Sequence, residues 1–149
     1  MRSLFSVSDN EAIIKRINQL TIHSTPLWGK MNVQQMLAHC QQPIKVAFGE
    51  LKIKRGLAGI LFGSLAKKKM AGDLPFQKNL PTEKKFIIEE YSSIVEEKNK
   101  LIALVTRFEQ YGPGGISKEP HPFFGKLKTK EWDMLMWKHL DHHLRQFGV

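Results

Sequence analysis

Three of the six histidines in this 149-residue chain fall within five positions near its end, in the run Trp137-Lys138-His139-Leu140-Asp141-His142-His143-Leu144-Arg145-Gln146. Neutral imidazole is a ligand for divalent transition metals, and H-x-x-x-H on a helix sets two rings one turn apart on the same face, where they converge on one ion. On a wheel of about 100° per residue, Trp132, Leu135, Met136, Leu140, Leu144 and Phe147 share a broad apolar arc. His143 lies inside that arc and His139 at its edge. His142 lies toward Lys138 and Arg145 and reads as solvent-facing, so the pair expected to act together is His139 and His143. Asp141, the nearest carboxylate, points away from this face and is not placed to act as their general base. Gln146 is one turn beyond both and is placed to touch the same pocket.

Two imidazoles make an incomplete site, and the third is sought upstream. His39 lies on a segment with Val33, Met36, Leu37, Cys40 and Ile44 at helical spacing, at the edge of the apolar stripe. If this helix packs antiparallel to the last one, His39 comes to the height of His139 and His143. Three imidazoles from two helices leave coordination positions open, the mark of a catalytic rather than a closed structural centre. Gln35 and His121, the latter between two prolines in a loop, are further pocket or supporting residues, not ligands. Cys40 follows His39 directly but turns by about 100° into the stripe, and reads as a small core residue.

The elements that must position these residues are helices. Ser8 with Glu11 has capping-box spacing, and Ile13, Ile14, Ile17 and Leu20 follow at helical spacing, so a first helix is expected over about residues 9–20. A polar connector follows, whose Trp28 is expected to pack on the bundle. Asn32 with Gln35 opens the second helix. Pro43 deprives the His39 carbonyl of its helical partner, so a kink or early end is expected there. Residues 56–70 are apolar and then basic, read as a core helix or a lid over a pocket rather than a membrane-surface segment. Residues 71–92 form a long connection in which Phe86-Ile87-Ile88 is extended or begins a helix. Ser93 with Glu96 caps a helix ending near Tyr111, before Gly112-Pro113-Gly114-Gly115. Thr129 caps the last helix, which runs through Phe147. The inventory is all-α: an antiparallel four-helix bundle with an additional short helix, in a single domain spanning residues 1–149.

Bulk properties narrow the class. The chain carries a formal charge of +9 with one cysteine, which rules out an internal disulfide and fits a cytoplasmic location. Its first residues carry no secretory pattern, and no apolar run approaches a bilayer span. Lysines cluster at Lys52, Lys54 and Arg55, at Lys67–Lys69 and at Lys126, Lys128 and Lys130, which makes a basic non-catalytic module for nucleic acid or another anionic partner the alternative reading. No nucleic-acid motif accompanies them, and a solvated surface is the favoured explanation. A small-molecule substrate is the expected partner, and a homodimer is compatible with the chain.

Met36-Leu37-Ala38-His39 together with His139-Leu140-Asp141-His142-His143-Leu144-Arg145-Gln146 resembles the DinB/YfiT-like superfamily, small four-helix bundles with a three-histidine metal site. In those families the last motif often ends H-R-G-Q, whereas this chain has His143-Leu144-Arg145-Gln146. His121-Pro122-Phe123-Phe124-Gly125-Lys126-Leu127 is similar to a stretch in an uncharacterised bacterial subgroup. The resemblance implies His39, His139 and His143 as ligands to a divalent ion such as zinc, nickel or iron. It further implies a low-molecular-weight thiol as cosubstrate, with thiol-dependent S-transferase-like chemistry ahead of hydrolysis.

Overall fold

Capping chemistry decides where most of the helices begin. The computed structural model describes residues 2–72 and 74–149, so the first residue and residue 73 of the long connection lie outside it. Helix α1 spans Val7–Gln19. It starts earlier than the Ser8–Glu11 spacing implies, because Asp9 in its first turn instead holds the incoming chain, accepting from the Ser3 amide and from Arg2 at 2.9 Å each. Helix α2, Val33–Ala47, opens on the reciprocal box expected of Asn32 and Gln35: Asn32 Oδ1 accepts from the Gln35 amide at 2.8 Å, and Gln35 Oε1 from the Asn32 amide at 3.0 Å. It does not end at Pro43. Burial of Pro43, Ile44, Val46 and Ala47 carries the helix past the bond that proline removes.

Helix α3, Leu57–Met70, exists where expected but is no core helix: Leu57, Ile60, Leu61, Phe62 and Leu65 are all exposed. Only Gly59, Gly63 and Met70 are buried on it. The connection that follows contains one 3-10 turn, Lys84–Phe86, and is otherwise irregular. Helix α4, Ile94–Tyr111, has Ser93 Oγ accepting from the Glu96 amide at 3.3 Å, and stops at Gly112 with φ +54°. Helix α5 spans Thr129–Gln146 with Thr129 inside its first turn rather than capping it. The cap is made from the far side, Glu131 Oε2 accepting from the Lys128 amide at 2.6 Å.

Helices α1, α2, α4 and α5 form a bundle in which α1 and α2 each pack against both α4 and α5. Side-chain bonds fix the directions. Asn10, early in α1, donates to the carbonyl of Val105, late in α4, and Lys98, early in α4, donates to the Asn18 and Leu20 carbonyls, so α1 and α4 run antiparallel. The end of α5 meets the chain entering α2, since the Leu27 amide donates to the Gln146 carbonyl at 2.7 Å, so α2 and α5 also run antiparallel. Asp133 accepts from Ser3 and the Leu4 amide while Asp141 pairs with Arg16, which aligns α1 with α5 in one direction. Gln41 bonds Glu97 and Glu50 pairs with Arg107, which does the same for α2 and α4. The long crossover through α3 permits that parallel pair, which a short loop would forbid. Trp132, Phe108, Met36, Leu37, Ile44, Leu101 and Leu140 fill the core. Among the described residues no helix is long and apolar enough to cross a membrane.

A candidate metal centre of three histidines

The α2–α5 contact brings His39, His139 and His143 together. One ring nitrogen of each lies within 4.8 Å of the others. His39 Nε2 and His139 Nε2 are 3.1 Å apart, and the His143 ring centroid is 4.7 Å from that of His39 and 4.6 Å from that of His139. His39 and His143 are buried and His139 is half-buried.

Second partners fix the tautomers. The Phe86 carbonyl stands 2.9 Å from His39 Nδ1. A carbonyl only accepts, so Nδ1 carries the proton and Nε2 presents its lone pair toward His139. Gln146 settles His143 in two steps. Its Nε2 donates to the Trp28 carbonyl at 2.6 Å, which turns its Oε1 onto His143 Nδ1 at 2.8 Å. An amide oxygen only accepts, so His143 Nδ1 is protonated and its Nε2 lone pair is free. Two of the three rings are thus held as ligands are held, each donating its far N–H to a fixed acceptor. His139 differs: its Nε2 faces the lone pair on His39 and donates to it, so His139 would ligate through that nitrogen only as the other tautomer.

Burial pushes all three imidazoles below their ordinary range, His143 to about 3 and His139 well down, the latter also through neighbouring His143 and His39. His39 is lowered by burial as well, partly offset by its bond to Phe86. At neutral pH the cluster is therefore uncharged, the protonation state a metal requires.

The fit to an ion is testable against geometry. Bonds of 2.0–2.1 Å at tetrahedral angles put ligand nitrogens about 3.4 Å apart. The His39–His139 separation is close to this, and the widest, within 4.8 Å, must close by at most about 1.4 Å, within reach of imidazole χ rotation. No carboxylate or thiol joins the cluster among the described residues.

The other residues singled out from the sequence are placed as follows. Gln35 caps α2 and donates to the Ile88 carbonyl at 3.3 Å, holding the crossover beside the site. His121 is buried against Trp132, and its Nδ1 accepts from the Phe123 and Phe124 amides at 3.0 and 3.2 Å. A neutral imidazole has one lone-pair nitrogen, and that of His121 is spent on its own loop. Asp141 is held by Arg16 at 2.8 Å and turned from the cluster. Cys40 is buried beside Met36, its thiol pushed up by burial and unreactive. His142 is half-buried rather than solvent-facing, edge-on to Trp28 and tilted against Phe76, because the crossover covers that side of α5. The Phe86 and Trp28 carbonyls could not be found from residue types, since a main-chain acceptor leaves no mark in composition.

Fold and site together define an all-α bundle with three histidines gathered between two antiparallel helices, compatible with a metal centre. The chain belongs to the family described as protein of unknown function (DUF1569), whose model matches residues 2–148. No curated protein and no solved structure matches it.

Proposed function

We propose that the protein is a metal-dependent enzyme in which His39, His139 and His143 hold a divalent ion, zinc, nickel or iron. The observation that carries this reading is the pair of outward-anchored tautomers. Phe86 and Gln146 leave His39 Nε2 and His143 Nε2 as lone-pair nitrogens on rings gathered with that of His139, one ligand nitrogen of each within 4.8 Å of the others. When bound, such an ion acidifies a water or thiol at its open position and so supplies a nucleophile near neutral pH.

The chain's own residues would orient the ligands and exclude bulk water from two sides, leaving approach past half-buried His139. With no carboxylate in the cluster among the described residues to act as a base, a nucleophile that loses its proton readily suits the site. A low-molecular-weight thiol fits that requirement better than water, so S-transferase-like chemistry on a small molecule is favoured over hydrolysis. The resemblance of the His39 and His139–Gln146 motifs to DinB/YfiT-like proteins supports the same order, and a single cytoplasmic domain is the accompanying reading.

Elemental analysis of protein purified without chelators tests the proposal. About one equivalent of metal in wild type, lost in His143→Ala while the helical circular dichroism is retained, is expected. Metal-free wild type that takes up no zinc, nickel or ferrous iron on titration overturns it.

A further inference from the structure

Helix α3 meets the bundle mainly at its C-terminal end, through Lys67 on Glu131 and Lys138 on the Met70 carbonyl, and its two faces are sharply different. Gly59 and Gly63 lie against the backbone of Pro122 and Phe123, so closely that a Cβ at either would collide with main-chain atoms. Arg55 locks the start of the helix by donating to the Gly59 carbonyl at 2.7 Å. Lys67 locks the other end on the Lys126 carbonyl at 2.8 Å and on Glu131 at 2.9 Å. The helix is therefore seated by its small-residue side, and its orientation is set.

That seating turns the large apolar residues outward. On a wheel of about 100° per residue, Leu57, Leu61, Leu65, Ala58 and Phe62 fill an arc of about 140° opposite the glycines. Leu57, Leu61 and Leu65 are 69–79% exposed and Phe62 is 58% exposed. Contiguous apolar exposure of this kind marks a docking face. Charge tells which partner fits. Residues 51–72 contain no Asp or Glu and six cations, Lys52, Lys54, Arg55, Lys67, Lys68 and Lys69. Lys52 and Lys54 are exposed before the apolar stretch, and Lys68 and Lys69 after it. Two copies docked through this face would bring these lysines together with no Asp or Glu on the helix itself to offset them. An anionic lipid surface neutralises them while taking up the leucines and phenylalanine.

We propose that α3 is an interfacial helix that seats the protein on anionic membrane surfaces, its Leu57–Leu61–Leu65–Phe62 face entering the headgroup boundary and its flanking lysines meeting lipid phosphates. The glycine seat makes the helix part of the body, so the whole domain is carried to the surface without a spanning segment. This inference is independent of the metal reading.

Full-length protein is mixed with vesicles of phosphatidylcholine alone or with about 30% phosphatidylglycerol and sedimented. Binding to the anionic vesicles, weaker on the neutral ones, is expected. Leu61→Ser with Phe62→Ser should weaken it more than about tenfold, and Lys68→Gln with Lys69→Gln should weaken it while steepening nothing in its salt response. These four side chains are exposed, so unchanged thermal unfolding should confirm that the variants fold. A Leu61→Trp variant should show a blue-shifted emission difference from wild type on adding anionic vesicles. Absence of binding overturns the proposal. So does binding that survives the Leu61/Phe62 change, which would be surface adsorption by charge alone. So does a stable dimer in solution that the same change dissociates, which would make a second copy the occupant.

Discussion

Gln146→Leu separates a side chain that merely packs from one that prepares a ligand. The substitution keeps the volume near constant and deletes two bonds at a position 3% exposed, Oε1 to His143 Nδ1 at 2.8 Å and Nε2 to the Trp28 carbonyl at 2.6 Å. Each buried group left without a partner costs about 1–3 kcal/mol. Burying leucine in place of an amide returns part of that. A net loss of about 2–3 kcal/mol in the metal-free protein is expected, lowering Tm by about 10 °C in a chain of this size. The metal effect is separate. Without Gln146, the His143 proton is no longer held on Nδ1 and the ring is free to turn, and loss of such a partner typically weakens metal affinity about 10–100-fold.

Zinc affinity is read by competition with a chromophoric chelator, and stability by unfolding with and without zinc. Gln146→Glu sharpens the assay. Its carboxylate still accepts from His143 Nδ1–H but faces the Trp28 carbonyl with no donor, so it should recover much of the zinc affinity and little of the stability. If Gln146→Leu binds zinc as tightly as wild type while His143→Ala does not, Gln146 does not govern the His143 tautomer, and the reasoning from the Trp28 carbonyl fails.

Burial holds His121 at about 4 and His143 at about 3, against 6.5 for a solvated ring. Between those values the unfolded chain binds more protons than the folded one, so metal-free stability is full above about pH 6.5 and falls as pH drops toward 4. His121 alone should account for about 3 kcal/mol of this loss. His121→Asn, whose Oδ1 can accept the Phe123 and Phe124 amides without titrating, should make urea midpoints fall less steeply between pH 6.5 and 4, the remaining slope coming from the buried cluster. An unchanged slope would refute the assignment. In the core, Phe108 is fully buried, stacked on Phe5 at 4.9 Å and tilted against Phe48 at 5.8 Å. Phe108→Ala should cost about 3–5 kcal/mol, and a loss below about 1 kcal/mol by denaturant unfolding would mean that this end of the bundle is not close-packed.

The helices were legible because their signals are local. Asn32 with Gln35 specified the start of α2 to the residue, and the apolar arc of α5 chose His139 and His143 from three candidates. The errors arose where a distant group outbid a local one. Ser8 lost its capping role because Asp9 captures the Ser3 amide and Arg2. Of the kink or early end expected at Pro43, the early end does not occur, because the residues after it are buried in the bundle. Of the core helix or lid expected for α3, the core helix fails, because its glycines, not its leucines, make the packing surface. His142 was placed in solvent by a wheel that knows only its own helix, and the crossover covers it.

The same crossover links topology to chemistry. For α2 and α4 to lie side by side in one direction, the chain must travel back along the bundle between them, and residues 48–93 make that journey. On the way they pass over the face where α2 meets α5, and the turn at Lys84–Phe86, anchored by buried Phe86, sets a carbonyl on His39 Nδ1. The connector before α2 does the equivalent for His143, through Trp28 and Gln146. The helices thus supply the nitrogens and the connections decide which of them are free. A change in the crossover that leaves every helix intact, such as a deletion that withdraws the Phe86 carbonyl, should therefore weaken metal binding by releasing the His39 tautomer. A bundle that bound metal equally well without that turn would show that helix packing alone builds the site.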